Sequence, residues 1–328
     1  MNKRTKIGII GCGWIAEKMA ITLQGMEKVE AYAIASRSMT KAKDFADKWR
    51  FTKAYGSYEE MLDDEQVELV YIATPHSHHF EHTRLSLLKG KPVLCEKAFT
   101  ANAWQAEELL SLAKEKGIFL TEAIWTRYMP LSKTISELLE KGVIGKPQLL
   151  TANLSYPNYN RERMYKPELA GGALLDLGVY TLNFAAMAFG TDIVRTTSSC
   201  ILSDTGVDKQ NSITLEYADG KMAVLCSSLT AKSDRQGIIS GDKGIMIVEN
   251  INNPQSVRVY NNDDQLQQEI LFAQRVNGYE YEFEEMAAAF DSGLTQTQSM
   301  PLAQTLAVMR LCDALRAQWG VQYPVEMK

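Results

Sequence analysis

Short apolar runs alternate with helical patterns over the first 120 or so residues. The runs predict strands at 6–10, 30–35, 69–73, 92–95 and 118–122, and helical periodicity lies between them at 15–23, 40–49, 78–89 and 104–116. Strand–helix alternation predicts a parallel, doubly wound sheet. Ligands of such sheets bind beyond the carboxyl ends of the strands. The residues that directly follow each predicted strand are therefore the candidates for function.

The pattern changes after about residue 124. A helix is predicted at 130–141, an extended run at 148–156 and an apolar helix at 172–189, followed by strands at 194–202, 212–217, 221–229, 244–249 and 257–261 and helices at 280–291 and 302–319. Successive strands separated by turns such as Ala218-Asp219-Gly220 predict antiparallel pairing. The expected fold class is α/β. An N-terminal doubly wound Rossmann domain (1–123) precedes a C-terminal α+β domain (124–328) with a large, mainly antiparallel open sheet.

Composition narrows the class of protein. A chain of 328 residues is long for one core, and its 45% hydrophobic and 23% charged content is typical of globular proteins. The net charge of -5 gives no basic footprint for nucleic acid or an anionic membrane. No 18-residue apolar run is present, so no membrane span is expected, and the short basic N-terminus leads into the first strand without a signal-peptide pattern. The five scattered cysteines lack a Cys-x-x-Cys pair, which predicts reduced thiols and a cytoplasmic location.

A glycine turn joins the first strand to the first helix. Its residues are Gly11, Cys12, Gly13, Trp14, Ile15 and Ala16. The first glycine permits the tight turn, the second lets the backbone approach a pyrophosphate, and the small residue at 16 lets helix pack on strand. The helix N-terminus adds partial positive charge. The turn predicts a dinucleotide site.

The corner after the second strand indicates which dinucleotide is bound. An acidic residue usually holds the ribose of NAD at this place, but here the strand ends in Ser36, Arg37 and Ser38. Arg37 can clamp a 2′-phosphate and Ser36 can donate a hydrogen bond to it. We therefore expect NADP(H), with NAD(H) as the alternative.

The next two strand ends carry the reactive groups. The predicted strand at 69–73 ends at Ala73 and leads into Thr74, Pro75 and His76, and all four histidines lie within 76–82. His78 and His82 are one turn apart, a spacing that also suits zinc. Only Glu81 could complete a ligand set nearby, so we expect no metal and a loop that lines the nicotinamide ribose. The predicted strand at 92–95 leads into Glu96 and Lys97, which places an ammonium beside the predicted nicotinamide.

The helix at 172–189 is apolar nearly all round, as expected of a buried helix. Asp176, Tyr180 and Asn183 nevertheless share one face at i, i+4 and i+7. Gly178 interrupts the helix at a cost of about 1 kcal/mol relative to alanine. The polar stripe predicts close approach to a ligand, and a buried hydrogen-bonded pair at Asp176 is the alternative.

Taken together, these motifs resemble the glucose–fructose oxidoreductase, inositol dehydrogenase and rhizopine-catabolism (Gfo/Idh/MocA) family over essentially the whole chain. The matching signatures are Gly11-Cys12-Gly13-x-x-Ala16, Ala73-Thr74-Pro75-x-x-x-His79, Glu96-Lys97 and Gly171-Gly172-Ala173-x-x-Asp176-x-Gly178-x-Tyr180. Residues 54–60 and 122–127 most resemble the branch of dimeric dihydrodiol dehydrogenases.

The resemblance implies a set of roles. NADP(H) would be bound by the glycine-turn residues, Ser36 and Arg37, together with Ala73, Thr74, Pro75, His76, His79, Glu96, Lys97, Trp125 and Arg127. Lys97 and Tyr180 would form the catalytic centre, with Asp176 in support. Two departures stand out: Ala98 replaces the usual proline of this loop, and His76 replaces a common asparagine.

The expected reaction is reversible hydride transfer between NADP(H) and a secondary alcohol or carbonyl. A tyrosine has an ordinary pKa near 10, and a nearby ammonium favours its phenolate form, so Tyr180 would exchange the proton with help from Lys97. A binding protein that senses cofactor or sugar with the same fold is the alternative. Candidate substrate residues are Trp125, Tyr156, Tyr159, Arg161, Arg163, Asn183 and Tyr279. They suit a sugar, a sugar derivative or a cyclic diol, and the open sheet predicts a homodimer or higher oligomer.

Overall fold

The computed structural model describes residues 4–273 and 275–326. The chain divides into two compact units. The first comprises Met1–Trp125 and Arg275–Leu306, and the second comprises Thr126–Gln274 and Ala307–Lys328.

Unit 1 contains a parallel six-stranded sheet in the order β3-β2-β1-β4-β5-β6. The strands are β1 Thr5–Ile10, β2 Val29–Ala35, β3 Lys53–Tyr55, β4 Leu69–Ile72, β5 Val93–Glu96 and β6 Leu120–Ala123. The intervening helices are α1 Trp14–Gln24, α2 Met39–Trp49, α3 Tyr58–Leu62, α4 His76–Leu88 and α5 Ala103–Lys116. This strand order is that of a Rossmann domain, so the predicted doubly wound fold is confirmed.

Polar caps fix where several helices of unit 1 begin. The Ser38 side chain accepts a hydrogen bond from the Lys41 amide at the start of α2, and Asn102 does the same for Gln105 at α5. These bonds satisfy amides that have no partner inside the helix. Helix α5 ends at Gly117, whose φ of 63° is left-handed.

A late helix completes the core of unit 1. Helix α9, Glu280–Asp291, buries Phe283, Met286 and Ala289 in the same cluster as Ile7, Tyr71 and the other sheet residues. Residues 275–306 therefore belong to the Rossmann unit. The domain boundary expected from the sequence, after residue 123, places them in the C-terminal domain. The amphipathic pattern of a helix predicts that one face is buried, but it does not identify the unit in which that face packs.

Unit 2 is built on an eight-stranded sheet in the order β14-β13-β12-β11-β7-β10-β9-β8. The strands are β7 Pro147–Ser155, β8 Ile193–Leu202, β9 Asp208–Tyr217, β10 Met222–Ser228, β11 Gly237–Gly241, β12 Gly244–Glu249, β13 Ser256–Asn261 and β14 Leu266–Leu271. The β7–β10 pair is parallel and the remaining pairs are antiparallel. The predicted large, mainly antiparallel sheet is thus confirmed.

The helices of unit 2 are α6 Pro130–Glu140, α7 Glu162–Tyr165, α8 Val179–Phe189 and the second part of α10 Leu302–Trp319. Helix α8 packs against β7 and β10. The stretch Pro167–Phe189 is long and apolar enough to cross a membrane, yet 89% of its apolar window is buried inside the protein. Such burial is what the core helix of a globular unit shows.

A π-helical turn, Leu174–Gly178, precedes α8 directly. The i, i+4, i+7 phasing assumed for a regular α-helix therefore does not hold between Asp176 and Tyr180, because a π turn has its hydrogen bonds at i to i+5. Gly178 lies at the end of this turn, where a Cβ atom would approach the Leu174 side chain to 3.0 Å. The predicted continuous α-helical stripe is thus corrected to a π turn followed by an α-helix.

Candidate active site

The glycine turn of unit 1 has the geometry of a phosphate cradle. Gly11 has a φ of 105°, and a Cβ atom there would lie 2.8 Å from the Ala73 carbonyl oxygen. Gly13 forms the N-cap of α1 without a side-chain cap bond. A Cβ atom at Gly13 would have the Ala73 carbonyl oxygen as its nearest neighbour, 4.0 Å away. The turn thus leaves the first amides of α1 available to an anion. These residues fit a dinucleotide pyrophosphate.

Cys12 lies inside this turn beside the corner that follows β2. Burial raises the pKa of its thiol, while a hydrogen bond with Ser36 and the charge of Lys41 act in the opposite direction. The thiol therefore stays protonated near neutral pH. Ser36 also accepts a hydrogen bond from the Ser38 amide at 3.3 Å, and the Arg37 side chain between them is exposed. The corner presents a guanidinium and no carboxylate, as a 2′-phosphate requires.

The histidines lie along the first turns of α4, after the β4 end. Thr74 Oγ1 lies 3.0 Å from His82 Nδ1, and the His82 ring contacts the ring of Tyr58 edge-on at 4.6 Å. The rings of His78 and His82 stack at 5.7 Å. Within 4–273 and 275–326, no group of three or more histidine, cysteine, aspartate or glutamate side chains is arranged to hold a metal ion.

His79 joins two strand ends. Its Nδ1 lies 2.8 Å from the Ala98 carbonyl oxygen and its Nε2 lies 2.8 Å from the Thr74 carbonyl oxygen. Two carbonyl partners favour the doubly protonated ring, but complete burial is the larger effect and lowers the pKa of His79 to about 4. The ring is therefore neutral near pH 7 and links the loop after β4 to the loop that carries Lys97.

The buried carboxyl group of Glu96 helps to fix the loop after β5. The Tyr71 hydroxyl donates to Glu96 Oε1, and the Lys97 amide donates to Glu96 Oε2 at 3.1 Å. Burial and the charge of Glu96 raise the pKa of Tyr71 well above its usual value, so Tyr71 remains a donor. Lys97 is joined to Ala98 by a cis peptide bond, although the proline common in relatives is missing.

Glu282 of α9 extends the acidic group. Its side chain is fully buried, and neither carboxyl oxygen has a hydrogen-bond partner in the described part of the chain. Burial and the nearby charges of Glu96 and Glu280 raise its pKa well above the usual range. Burial and the neighbouring carboxylates therefore favour the protonated form of Glu282. Its spacing of four from Met286 on the apolar face of α9 is the sequence signal that could have revealed it.

Two predicted substrate residues meet in unit 1. The rings of Trp125 and Tyr279 stack with centroids 4.4 Å apart and planes inclined by 21°. Trp125 lies two residues after the end of β6, and Tyr279 is the N-cap of α9. The structure brings these aromatic side chains together at the carboxyl edge of the sheet, where ligands of doubly wound sheets bind.

In unit 2 the π turn carries an ion pair. Arg163 of α7 donates to Asp176 Oδ1 at 2.8 Å, and the Asp176 side chain is only 6% exposed whereas that of Arg163 is 40% exposed. Asn183 donates to the Val179 carbonyl oxygen at 2.9 Å, and Arg127 donates to the Asn183 carbonyl oxygen at 3.3 Å. Asp176 is thus part of a buried hydrogen-bonded pair, the alternative raised above, while Asn183 is bonded within its own helix.

Tyr156, after β7, takes part in a separate polar group. Its hydroxyl donates to Asn252 Oδ1 at 3.3 Å and accepts a hydrogen bond from Arg235 at 3.2 Å. The Arg235 guanidinium also lies 5.4 Å from the centroid of the Tyr156 ring. Sequence reasoning missed Arg235, because a charged residue in a loop carries no periodic signal.

Comparison with known proteins agrees with this geometry. "Oxidoreductase family, NAD-binding Rossmann fold" describes residues 5–123, and "GFO/IDH/MocA C-terminal domain" describes residues 132–247. The trans-1,2-dihydrobenzene-1,2-diol dehydrogenase of Xenopus laevis is 34% identical over 98% of this chain and 99% of its own length. The enzyme of the same name from Mus musculus is 32% identical over 98% of both chains.

A solved structure shows the same likeness in three dimensions. KijD10, a 3-ketoreductase from Actinomadura kijaniata in complex with NADP and TDP-benzene, superimposes with a TM-score of 0.87. It is 26% identical, and the match covers 96% of this chain and 98% of KijD10. Fold and glycine turn together define an oxidoreductase with an NAD(P)-binding Rossmann domain. The chain belongs to the GFO/IDH/MocA family of oxidoreductases.

Proposed function

We propose that this protein transfers a hydride between NADP(H) and a secondary alcohol or carbonyl carbon of a sugar, a sugar derivative or a cyclic diol. The observation that carries the proposal is the open turn at Gly11 and Gly13 beside an acid-free corner with Arg37. The names of the relatives, diol dehydrogenases and a 3-ketoreductase, support this class of substrate.

The preference for NADP(H) rests on the corner after β2. An exposed guanidinium can form two hydrogen bonds to a phosphate, whereas a carboxylate at this corner would repel it. The presence of NADP in the KijD10 complex supports the same preference. NAD(H) remains the second candidate, since neither Ser36 nor Arg37 excludes an unphosphorylated ribose.

The chemical roles are assigned to Lys97 and Tyr180. The bound nicotinamide supplies or accepts the hydride. During reduction the Tyr180 hydroxyl gives its proton to the substrate oxygen, and during oxidation the phenolate takes that proton back. The Lys97 ammonium favours the phenolate through its positive charge. Asp176, held by Arg163, orients the substrate hydroxyl groups.

The unit 1 loops prepare this chemistry. We assign His76 and Thr74 to the ribose side of the site, and His79 and Glu96 to fixing the loop that presents Lys97. The stacked pair Trp125–Tyr279 offers an apolar wall to a ring-shaped substrate. A wall of this kind suits a cyclic diol or the less polar face of a sugar.

Self-association and a cytoplasmic location complete the proposal. On one face of the unit 2 sheet, Met222 of β10 lies beside Leu149 of β7, and these side chains are 38% and 39% exposed. Val224, also on β10, is 40% exposed. A second copy of the chain would cover this face. The five cysteines are all free thiols, which suits a reducing compartment.

A substrate panel tests the proposal. Purified protein is mixed with NADPH and a set of sugars, keto sugars, diols and dicarbonyls, and cofactor oxidation is followed by absorbance, with the reverse direction measured on NADP⁺. Turnover of at least one carbohydrate or cyclic diol is expected. Tight NADPH binding without turnover of any compound in either direction would favour the sensing protein instead.

A further inference from the structure

A carboxyl group is buried beneath the π turn of unit 2. Asp208 is the first residue of β9 and is fully buried. Its Oδ2 atom accepts hydrogen bonds from the Leu174 amide and from Asn211 Nδ2, both at 2.8 Å. Leu174 opens the π turn that contains Asp176 and leads to Tyr180. The carboxyl therefore binds the first amide of the segment that carries two residues of the proposed chemistry.

Two glycines ahead of the turn allow close backbone contacts, and one of them, Gly172, lies directly on this carboxyl. Gly172 has a φ of 117°, and a Cβ atom there would lie 2.3 Å from Asp208 Oδ1. At Gly171 a Cβ atom would lie 2.7 Å from the Met164 carbonyl oxygen. Asp208 Oδ1 has no hydrogen-bond partner in the described part of the chain. Gly172 and Leu174 thus both lie against Asp208.

A row of polar side chains continues beneath the turn. Asn211 Oδ1 accepts a hydrogen bond from Ser227 Oγ at 3.0 Å. Ser227 Oγ in turn lies 3.4 Å from the place where a Cβ atom of Gly178 would be. Asp208, Asn211 and Ser227 therefore support the π turn from its first residue to its last.

The groups around Asp208 stabilise its negative charge only in part. The charged and titratable side chains that face it are Arg316 of α10, Tyr323 after that helix and Cys200 of β8. Complete burial is the largest effect and raises the pKa of Asp208 to about 7, although Arg316 and the two hydrogen bonds act to lower it. Both protonation states are accordingly populated near neutral pH.

We propose that Asp208 is a positioning residue for the reaction: its ionised carboxyl holds the π turn and so fixes where Asp176 and Tyr180 lie. This inference rests on the proposed function for the roles of those two residues. Hydrogen bonds to a carboxylate are about twice as strong as bonds to a neutral acceptor, and a helix N-terminus favours a negative charge. Protonation of Asp208 therefore loosens the turn without removing it.

The test compares wild type, Asp208→Asn and the matched control Asp204→Asn across pH. Asparagine keeps the shape and an acceptor oxygen but lacks the charge, while Asp204 is exposed in the loop just before β9. For wild type and the control, kcat is expected to fall as pH drops through about 7. For Asp208→Asn, kcat is expected to be about tenfold lower above pH 7, to lose this pH dependence, and to leave the KM for NADPH unchanged.

A second readout does not depend on activity. Hydrogen exchange at the Leu174 amide is followed in wild type at several pH values and corrected to a protection factor. Protection is expected to fall as pH drops through about 7, and Asp208→Asn is expected to show the low value throughout. A pH-independent protection factor in wild type, or a wild-type kcat profile in Asp208→Asn, overturns the inference. If wild type shows no turnover, the proposed function is refuted instead. The exchange result then decides whether the Asp208 carboxyl holds the π turn.

Discussion

Replacing Asp208 with asparagine should make unit 2 more stable at alkaline pH, even though it slows the reaction. Burial raises the pKa of Asp208 from the ordinary value of 3.8 to about 7 in the folded protein. A group that holds its proton more tightly when folded stabilises the fold fully below its unfolded pKa, and that contribution is lost as pH rises through its folded pKa. Wild type should therefore lose stability between about pH 4 and pH 7.

The size of the loss follows from the shift. A shift of about 3 pKa units corresponds to about 4 kcal/mol at about 1.4 kcal/mol per unit. Since the Asp208 side chain is fully buried, solvent screens the electrostatic cost of its charge only weakly. Asparagine removes the cost of the buried charge but forms weaker hydrogen bonds to Leu174 and Asn211, so a net gain of about 2–4 kcal/mol is expected above pH 7.

The assay is urea unfolding of wild type, Asp208→Asn and Asp204→Asn at about pH 5 and about pH 8. Because the chain has two units, exchange of the β9 amides is measured in parallel to obtain the free energy of opening for unit 2 alone. The variant is expected to exceed wild type only slightly at the lower pH, where a small part of the loss has occurred, and by the full amount at the higher pH. A variant that is less stable than wild type at the higher pH would refute the reasoning, because the cost of burying the ionised Asp208 carboxyl would then be smaller than the gain from its hydrogen bonds.

Four further variants test the cofactor site and the core of unit 1. Arg37→Ala should weaken NADPH binding about 10- to 100-fold and leave NADH binding nearly unchanged, as measured by fluorescence titration, and Lys43→Ala on the exposed face of α2 serves as control. Gly13→Ala should abolish cofactor binding with little loss of thermal stability, whereas Gly11→Ala should cost about 1–3 kcal/mol of unfolding free energy in urea because of its positive φ. Glu282→Gln should exceed wild type in urea stability by an amount that grows as pH rises above the ordinary carboxyl pKa of 4.5, because burial raises the folded pKa of Glu282 while the unfolded carboxyl ionises from there upward. An equal pH dependence in both proteins would contradict this.

Apolar patterning was sufficient for most of the fold. The buried strands β1, β2, β4 and β5 show nearly continuous apolar runs, and helices α9 and α10 begin and end where their periodicity predicts. Strand β14 was missed because five of its six residues are exposed and its three polar residues are consecutive, so no alternation marks it. The short β3 and the glycine-bounded β11 were missed because three to five residues give too little pattern.

The site was predictable where a motif acts through its own backbone. The glycine turn needs a positive φ at Gly11, and the structure has it. The π turn was not predictable, because its extra residue per turn depends on contacts with β9 and β10 that lie far away in sequence. Asp208 was missed for the same reason: in sequence it is one more acidic residue beside a turn, and only the folded chain shows that it is buried.

The most direct test of the proposed chemistry is a paired measurement on Lys97→Met, once a substrate has been found in the panel. Steady-state kcat and the Kd for NADPH are determined for the variant and for wild type, with Lys43→Met as control. The account predicts that kcat falls by orders of magnitude, about 10²- to 10⁴-fold for the loss of assisted proton transfer, while the Kd for NADPH stays within a fewfold of wild type. A variant that turns over at the wild-type rate would contradict the assignment of Lys97 to the catalytic centre.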